Sequence, residues 1–341
     1  MVRVTQKDIA QVLGVSVMTV SNAFNRPDQL SADLRERVLA RAAKMGYTGP
    51  DAVARQLRSG RTNSFAVVFE EKLSYAFSDP FSVAWLAAFS EVMERKRAAI
   101  TLLSVPAADA ESLAAIQDAA VDGVAGLCGD QPAMARARER GLPTVYCTMT
   151  SGIAPEDQVG DYVVIDDHAA GFEVGQYLRR LGHHSVFILA GSPRPGPLTR
   201  EYDSDALFDR LRIGGLLAGL GNAEVTFVPI GTNSFRAGQA AGTVVLDRRD
   251  RPTAVVAVSD VMALGFMDAC RQRGLTPGED ISVVGFDDLH EAEEAGLTTI
   301  RQPVRDKGRL AAELLLDPER EDRRIVLPHE LIVRSSTRPV A

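Results

Sequence analysis

Apolar residues between positions 5 and 45 recur on a helical period. Ile9, Val12 and Leu13 stand at i, i+3 and i+4 and give one short helix an apolar face. Thr5 is placed to cap that helix, with Asp8 three residues on to return the bond. Gly14 ends it at a position that needs positive φ. Ser16 then caps a second helix, which buries Val20 and Phe24 and turns Val17, Met18, Ser21, Asn22 and Asn25 outward. A third helix opens at Ser31, carries the stripe Leu34, Val38, Leu39, Ala42 and Met45, and stops at Gly46. The pattern is a helix, a tight turn and a second helix. Its outward face is built of small polar and apolar side chains without an acid, and such a face suits a DNA major groove.

After a break at Tyr47-Thr48-Gly49-Pro50, residues 51–58 allow two turns of helix with Asp51 as cap, and Ser59-Gly60-Arg61-Thr62 reads as a linker. A two-turn helix is marginal in water and needs a partner to order it. From Ser64 the period changes. Phe65-Ala66-Val67-Val68-Phe69 is a short continuous apolar run, as in a strand buried on both faces. Helix and strand then alternate: 79–97 (helix), 100–105 (strand), 109–120 (helix), 123–127 (strand), 131–140 (helix) and 144–147 (strand). The alternation restarts after a loop at 150–160 and runs through strands at 162–165, 185–189, 224–228, 254–258 and 281–284, with helices between them. Two such series predict an α/β body of two doubly wound parallel-sheet lobes, with a ligand cleft at the carboxyl ends of the strands.

Bulk composition narrows the function. The 341 residues are 45% hydrophobic, ample for packed cores, yet contain no membrane-length apolar run and no secretion signal at the N-terminus. Cys128, Cys147 and Cys270 are scattered thiols without metal or disulfide spacing, so the expected compartment is the cytoplasm. The net charge is −7, but residues 1–60 carry nine Lys/Arg against five Asp/Glu, a basic head on an acidic body.

Three groups of residues carry a family likeness: Val-Thr-x-x-Asp-Ile-Ala from Val4, Gly-Val-Ser-x-x-Thr-Val-Ser from Gly14, and Arg35-Glu36-Arg37-Val38-Leu39. Further matches are Arg58–Thr62, Pro252–Val255, Ser259–Gly265, Asp280–Asp288, Leu297–Pro303 and Leu331–Thr337. With these, the chain resembles the LacI/GalR family of bacterial transcription regulators over essentially its whole length. The resemblance implies an all-α helix-turn-helix domain at 1–48 and a linker with a hinge helix at 49–62. It implies a periplasmic-binding-protein-like body at 63–341, with lobes at about 63–161 plus 298–320 and about 162–297 plus 321–341. It further implies a homodimer on a pseudo-palindromic operator, most simply a repressor, switched by a small metabolite in the inter-lobe cleft. Val17, Met18, Ser21 and Asn22 would meet base edges, with Thr19, Asn25 and Tyr47 nearer phosphates; Leu57 of the hinge would wedge into the minor groove, and Thr5, Ser16 and Ala54 complete the DNA-binding set. Many relatives carry Arg where Asn22 stands. Asn prefers adenine and Arg guanine, so the operator should differ here.

The same resemblance maps effector contacts onto Asp79, Phe81, Thr148, Arg212, Phe235, Ser259 and Asp287. Arg212 can fork onto paired oxygens and the two acids can accept from hydroxyls, which suits a sugar or sugar derivative. Thr148-Met149 replaces a charged pair common in sugar-responsive relatives and leaves room for other ligands. No metal or cofactor is implied. A ligand-dependent activator with a non-sugar effector is the alternative. An enzyme lacks its motifs, because Gly214–Gly221 is not a strand-to-helix phosphate loop and no histidine pair has metal spacing. A solute-binding protein would need a secretion signal and has no use for residues 1–60.

Overall fold

A computed structural model of the chain describes residues 4–47, 49, 60–69, 71–105, 110–127, 132–147, 160–191, 196–200, 207–231 and 233–340. Two compact units divide it, Met1–Thr62 and Asn63–Ala341. The hinge segment 51–58, with Ala54 and Leu57, lies outside the described residues, as does Thr148.

In the first unit, α1 (Gln6–Leu13), α2 (Val17–Asn25) and α3 (Ala32–Lys44) pack around Ile9, Ala10, Val20, Ala23, Val38 and Ala42. Each start is set by the hydroxyl the sequence offers. Thr5 and Asp8 form a reciprocal capping box, while Ser16 and Ser31 accept from Thr19 and Leu34. Gly14, at φ 67°, closes α1 in the left-handed conformation and sends the chain into α2. Val12 departs from the expected stripe: it is 48% exposed, and Ala10 is buried beside Ile9 instead.

The second unit holds two sheets. In chain order its elements are β1 (Ser64–Phe69), α4 (Leu73–Ala76), α5 (Pro80–Arg95), β2 (Ala99–Ser104), α6 (Ala110–Asp118), β3 (Val124–Gly126), α7 (Pro132–Glu139), β4 (Thr144–Tyr146) and β5 (Asp161–Ile165). There follow α8 (Asp167–Arg180), β6 (Ser185–Gly191), α9 (Leu207–Leu220), β7 (Glu224–Ile230), α10 (Phe235–Leu246), β8 (Ala254–Ala257), α11 (Asp260–Gln272) and β9 (Ser282–Asp287). Last come α12 (His290–Glu294), β10 (Thr298–Arg301), α13 (Val304–Leu316), β11 (Arg324–Leu327) and β12 (Glu330–Ile332). One sheet runs β11-β5-β4-β3-β1-β2, all parallel; the other runs β12-β10-β9-β8-β6-β7, parallel except for the β10–β12 pair.

The continuous apolar run of β1 is used on both faces. Phe65, Val67 and Phe69 pack with Trp85, Phe89 and Leu314, while Ala66 and Val68 pack with Val124, Met134 and Tyr146 on the opposite side. The lobes divide a few residues away from the expected boundaries. Tyr162–Ile165 completes the first sheet by pairing with β4 and β11, and Thr298–Arg301 stays in the second sheet between β9 and β12. The chain therefore crosses between sheets after Ile165, between Arg301 and Val304, and between Leu327 and Glu330. Strand pairing, a non-local property, sets these points.

Glycine lets α8 and α9 approach backbone to backbone. A Cβ on Gly171 would lie 1.9 Å from the Arg212 carbonyl oxygen, and one on Gly215 would lie 1.9 Å from that of His168. This crossing fixes Asp167, at the start of α8, against Arg212 on α9.

Candidate functional site

The first unit presents one face of α2. Val17 and Met18 are 44% and 68% exposed, which is costly for apolar side chains without a partner. Around them the polar side chains are pre-engaged. Ser16 Oγ and Thr19 Oγ1 are 2.9 Å apart, Asn25 Nδ2 donates to Ser21 Oγ at 3.3 Å, and Asn22 Nδ2 donates to Gln29 Oε1 at 3.1 Å. Thr5, at the mouth of α1, donates its hydroxyl to Asp8 at 2.7 Å, and this bond holds the Asp8 carboxyl below its ordinary range. Tyr47 packs edge-on against Phe24, with ring centroids 5.5 Å apart. Gln29 was not picked out from sequence; it stands in the turn Pro27–Gln29, where no helical period marks it.

The second unit gathers charge where the carboxyl ends of its strands meet. Arg212, 8% exposed, donates from Nε and Nη2 to Asp167 Oδ1 at 3.1 and 2.8 Å, and from Nη1 to the carbonyl of Val258 beyond β8. Its guanidinium carbon lies 3.4 Å from the centroid of the Phe286 ring. Asp287, at the end of β9, accepts from Gln302 Nε2 at 2.6 Å, and Gln302 Oε1 accepts from Lys307 Nζ at 2.8 Å. Lys307 is buried on α13, with Nζ 5.6 Å from the centroid of Phe81. Asp79 caps α5, accepting from the Ser82 amide at 3.0 Å and the Ser82 hydroxyl at 2.6 Å.

Burial dominates the electrostatics. It pushes the Asp287 carboxyl well up, a trend reinforced by Asp260 and Asp79 and opposed by Arg212. It raises Asp79 and lowers the Lys307 ammonium, against the pull of Asp167 and Asp287. Cys147, beside Lys307, is pushed up to about 12 by burial and stays a thiol. Behind the cleft, Asp260 has no exposed surface; it accepts from Thr299 Oγ1 at 2.6 Å and from the Leu289 amide at 2.9 Å, and burial lifts it to about 6.

That buried carboxylate braces a strained turn. Asp287 and Asp288 adopt φ of 132° and 58°, a region that L-residues avoid. Arg301 and Arg334 clamp the Asp288 carboxylate at 2.6 and 2.7 Å. Strain of this kind persists only where the surroundings over-determine it.

Of the expected cleft residues, the structure brings Asp79, Phe81, Arg212 and Asp287 to one cluster, linked through Lys307. Ser259 caps α11 and bonds Asn233, while Phe235 stands 40% exposed at the start of α10. Asp167, Gln302 and Lys307 were missed. Lys307 carried a signal: it interrupts the stripe formed by Val304, Ala311 and Leu314, where an ammonium is out of place.

No helix among the described residues is long and apolar enough to cross a membrane. Residues 5–49 match bacterial regulatory proteins of the lacI family, and residues 175–337 match a periplasmic binding protein-like domain. The HTH-type transcriptional regulator Rv3575c of Mycobacterium tuberculosis is 38% identical, over 99% of this chain and 98% of its own. A solved transcriptional regulator CelR–cellobiose complex is 28% identical with a TM-score of 0.67, covering 98% of this chain and 100% of that one. The lac repressor dimer bound to operator and the anti-inducer ONPF is 25% identical with a TM-score of 0.79, over 98% and 99% of the two chains.

Proposed function

Because the chain belongs to the lacI family of bacterial regulatory proteins and is a DNA-binding transcriptional regulator, we propose that it represses transcription as a homodimer on a pseudo-palindromic operator. Control comes from a sugar or sugar derivative held between its lobes. Support for the dimer and operator comes from the lac repressor structure, and for the ligand class from CelR with cellobiose.

The observation that carries the effector half is the convergence of buried Arg212, Asp167, Asp287 and Lys307 at the strand ends of both lobes. Such a set offers donors and acceptors together, as hydroxyl recognition requires. In this reading Asp79, Phe81, Thr148, Arg212, Phe235, Ser259 and Asp287 line the effector site. Val17, Met18, Ser21 and Asn22 read base edges, while Thr19, Asn25 and Tyr47 lie nearer phosphates; Leu57 wedges into the minor groove, and Thr5, Ser16 and Ala54 belong to the same DNA-binding set. The effector acts by its differential affinity for two lobe arrangements, one of which favours operator binding.

The test has two steps. Selection of operator fragments by the full chain should return an inverted repeat, and a sugar that raises its melting temperature should then change operator affinity in an anisotropy titration. A single unpaired half-site, or a stabilising sugar that leaves operator affinity unchanged, overturns the reading.

A further inference from the structure

Lys307 is the one buried lysine among the described residues, 2% exposed. An ammonium offers three N–H donors, and a buried one must fill them or lose much of its hydration energy. Here one goes to Gln302 Oε1 at 2.8 Å, and no other hydrogen bond is formed among the described residues. The side chain reaches from α13, which packs with the first lobe, toward Asp167, Asp287 and Arg212 of the second. Apart from the Phe81 ring, 5.6 Å away, two donors of this cation therefore have no hydrogen-bond partner among the described residues where the lobes meet.

The charges around it decide what can fill them. Among the described residues, Asp79, Asp167 and Asp287 gather with two cations, Arg212 and Lys307, and Asp260 stands behind Asp287. Asp167 is matched by Arg212 at 2.8 Å. Among the described residues, the hydrogen-bonded link from Lys307 to Asp287 runs through the Gln302 amide, whose two ends are fixed by those partners. A carboxylate or phosphate group would satisfy Lys307 but add a negative charge among acids already crowded by burial. A hydroxyl meets both demands, because it accepts from Lys307 and donates to a carboxyl oxygen.

We propose that Lys307 is a specificity-determining residue of the effector site, donating to a hydroxyl oxygen of a neutral polyhydroxylated effector and leaving sugar acids and sugar phosphates unfavoured. This rests on the sugar reading above and narrows it to uncharged members.

The test is a thermal-shift and calorimetric panel on the full chain. It sets cellobiose, glucose and ribose against glucuronate, glucose 6-phosphate and ribose 5-phosphate, followed by the monodeoxy series of the best neutral binder. Wild type should bind a neutral sugar at least tenfold more tightly than its charged counterpart. Lys307→Met should weaken that sugar at least tenfold while still unfolding in one cooperative transition, and should become indifferent to one deoxygenation that wild type penalises. Equal binding of the neutral sugar by Lys307→Met overturns the proposal and leaves the sugar reading standing. Preference for a charged counterpart overturns it as well. Binding of no sugar at all overturns the sugar reading, and this proposal with it. Should Lys307→Met fail to fold, Lys307→Arg replaces it. The longer fork must reorder the deoxy series, and an unchanged order counts against the assignment.

Discussion

A carboxyl group without solvent-exposed surface, as at Asp260, keeps its proton to higher pH than the same group in an unfolded chain. Asp260 moves from 3.8 to about 6, burial being the largest cause. Between those values the folded state binds the extra proton, so stability falls as pH rises from about 4 to about 6 and stays reduced above. Asp260→Asn removes this dependence. Its denaturation midpoint should trail wild type more at pH 4 than at pH 7, and an equal gap at both would sink the assignment. Arg212→Met makes a different case, because it strands Asp167 in a buried position; a loss of about 3–5 kcal/mol is expected by chemical denaturation. Sequence made Arg212 and Asp287 legible through the motifs around them. Gln302 lies inside the Leu297–Pro303 motif and Lys307 shows as a charge interrupting a buried stripe, yet a motif or a stripe says nothing of which polar group a distant strand end will supply.

Helices and central strands were the most legible elements, because continuous apolar runs such as Phe65–Phe69 and hydroxyl caps such as Ser16 act locally. The short central strand β10 and the edge strands β11 and β12 were not, since short or half-exposed strands carry a weak pattern and gain their identity from pairing. The α8–α9 crossing gives a sharp test at this scale. Gly215 has a carbonyl oxygen 1.9 Å from where its Cβ would be, whereas Gly214, its neighbour, meets only the His168 ring at 3.9 Å. Gly215→Ala should cost about 2 kcal/mol or more by forcing the helices apart. Gly214→Ala should be neutral or stabilise by about 0.5–1 kcal/mol through helix propensity. Similar effects at both sites, measured by urea unfolding, would refute the close-packing account.

For the whole molecule, the division into a small helical unit and a two-sheet body was readable from the switch in hydrophobic period near Ser64. The points at which the chain passes between sheets differ from the expected ones by a few residues, because strand partners are chosen by non-local pairing, as where Tyr162–Ile165 meets Arg324–Leu327. The proposed hinge leucine belongs to this scale. Leu57→Ala should weaken operator binding at least tenfold in a gel-shift titration and leave the sugar-induced thermal shift intact; unchanged operator affinity would remove its wedge role.

The same path through two sheets bears on how the protein is made. Residues 324–332 supply β11 to one sheet and β12 to the other. On the ribosome, therefore, neither lobe can complete its sheet until that stretch has emerged, whereas the helical unit has all three of its helices once Lys44 has emerged. The nascent chain should hold a finished DNA-reading head on an unfinished body with open sheet edges, the state in which this protein is most exposed to misassembly.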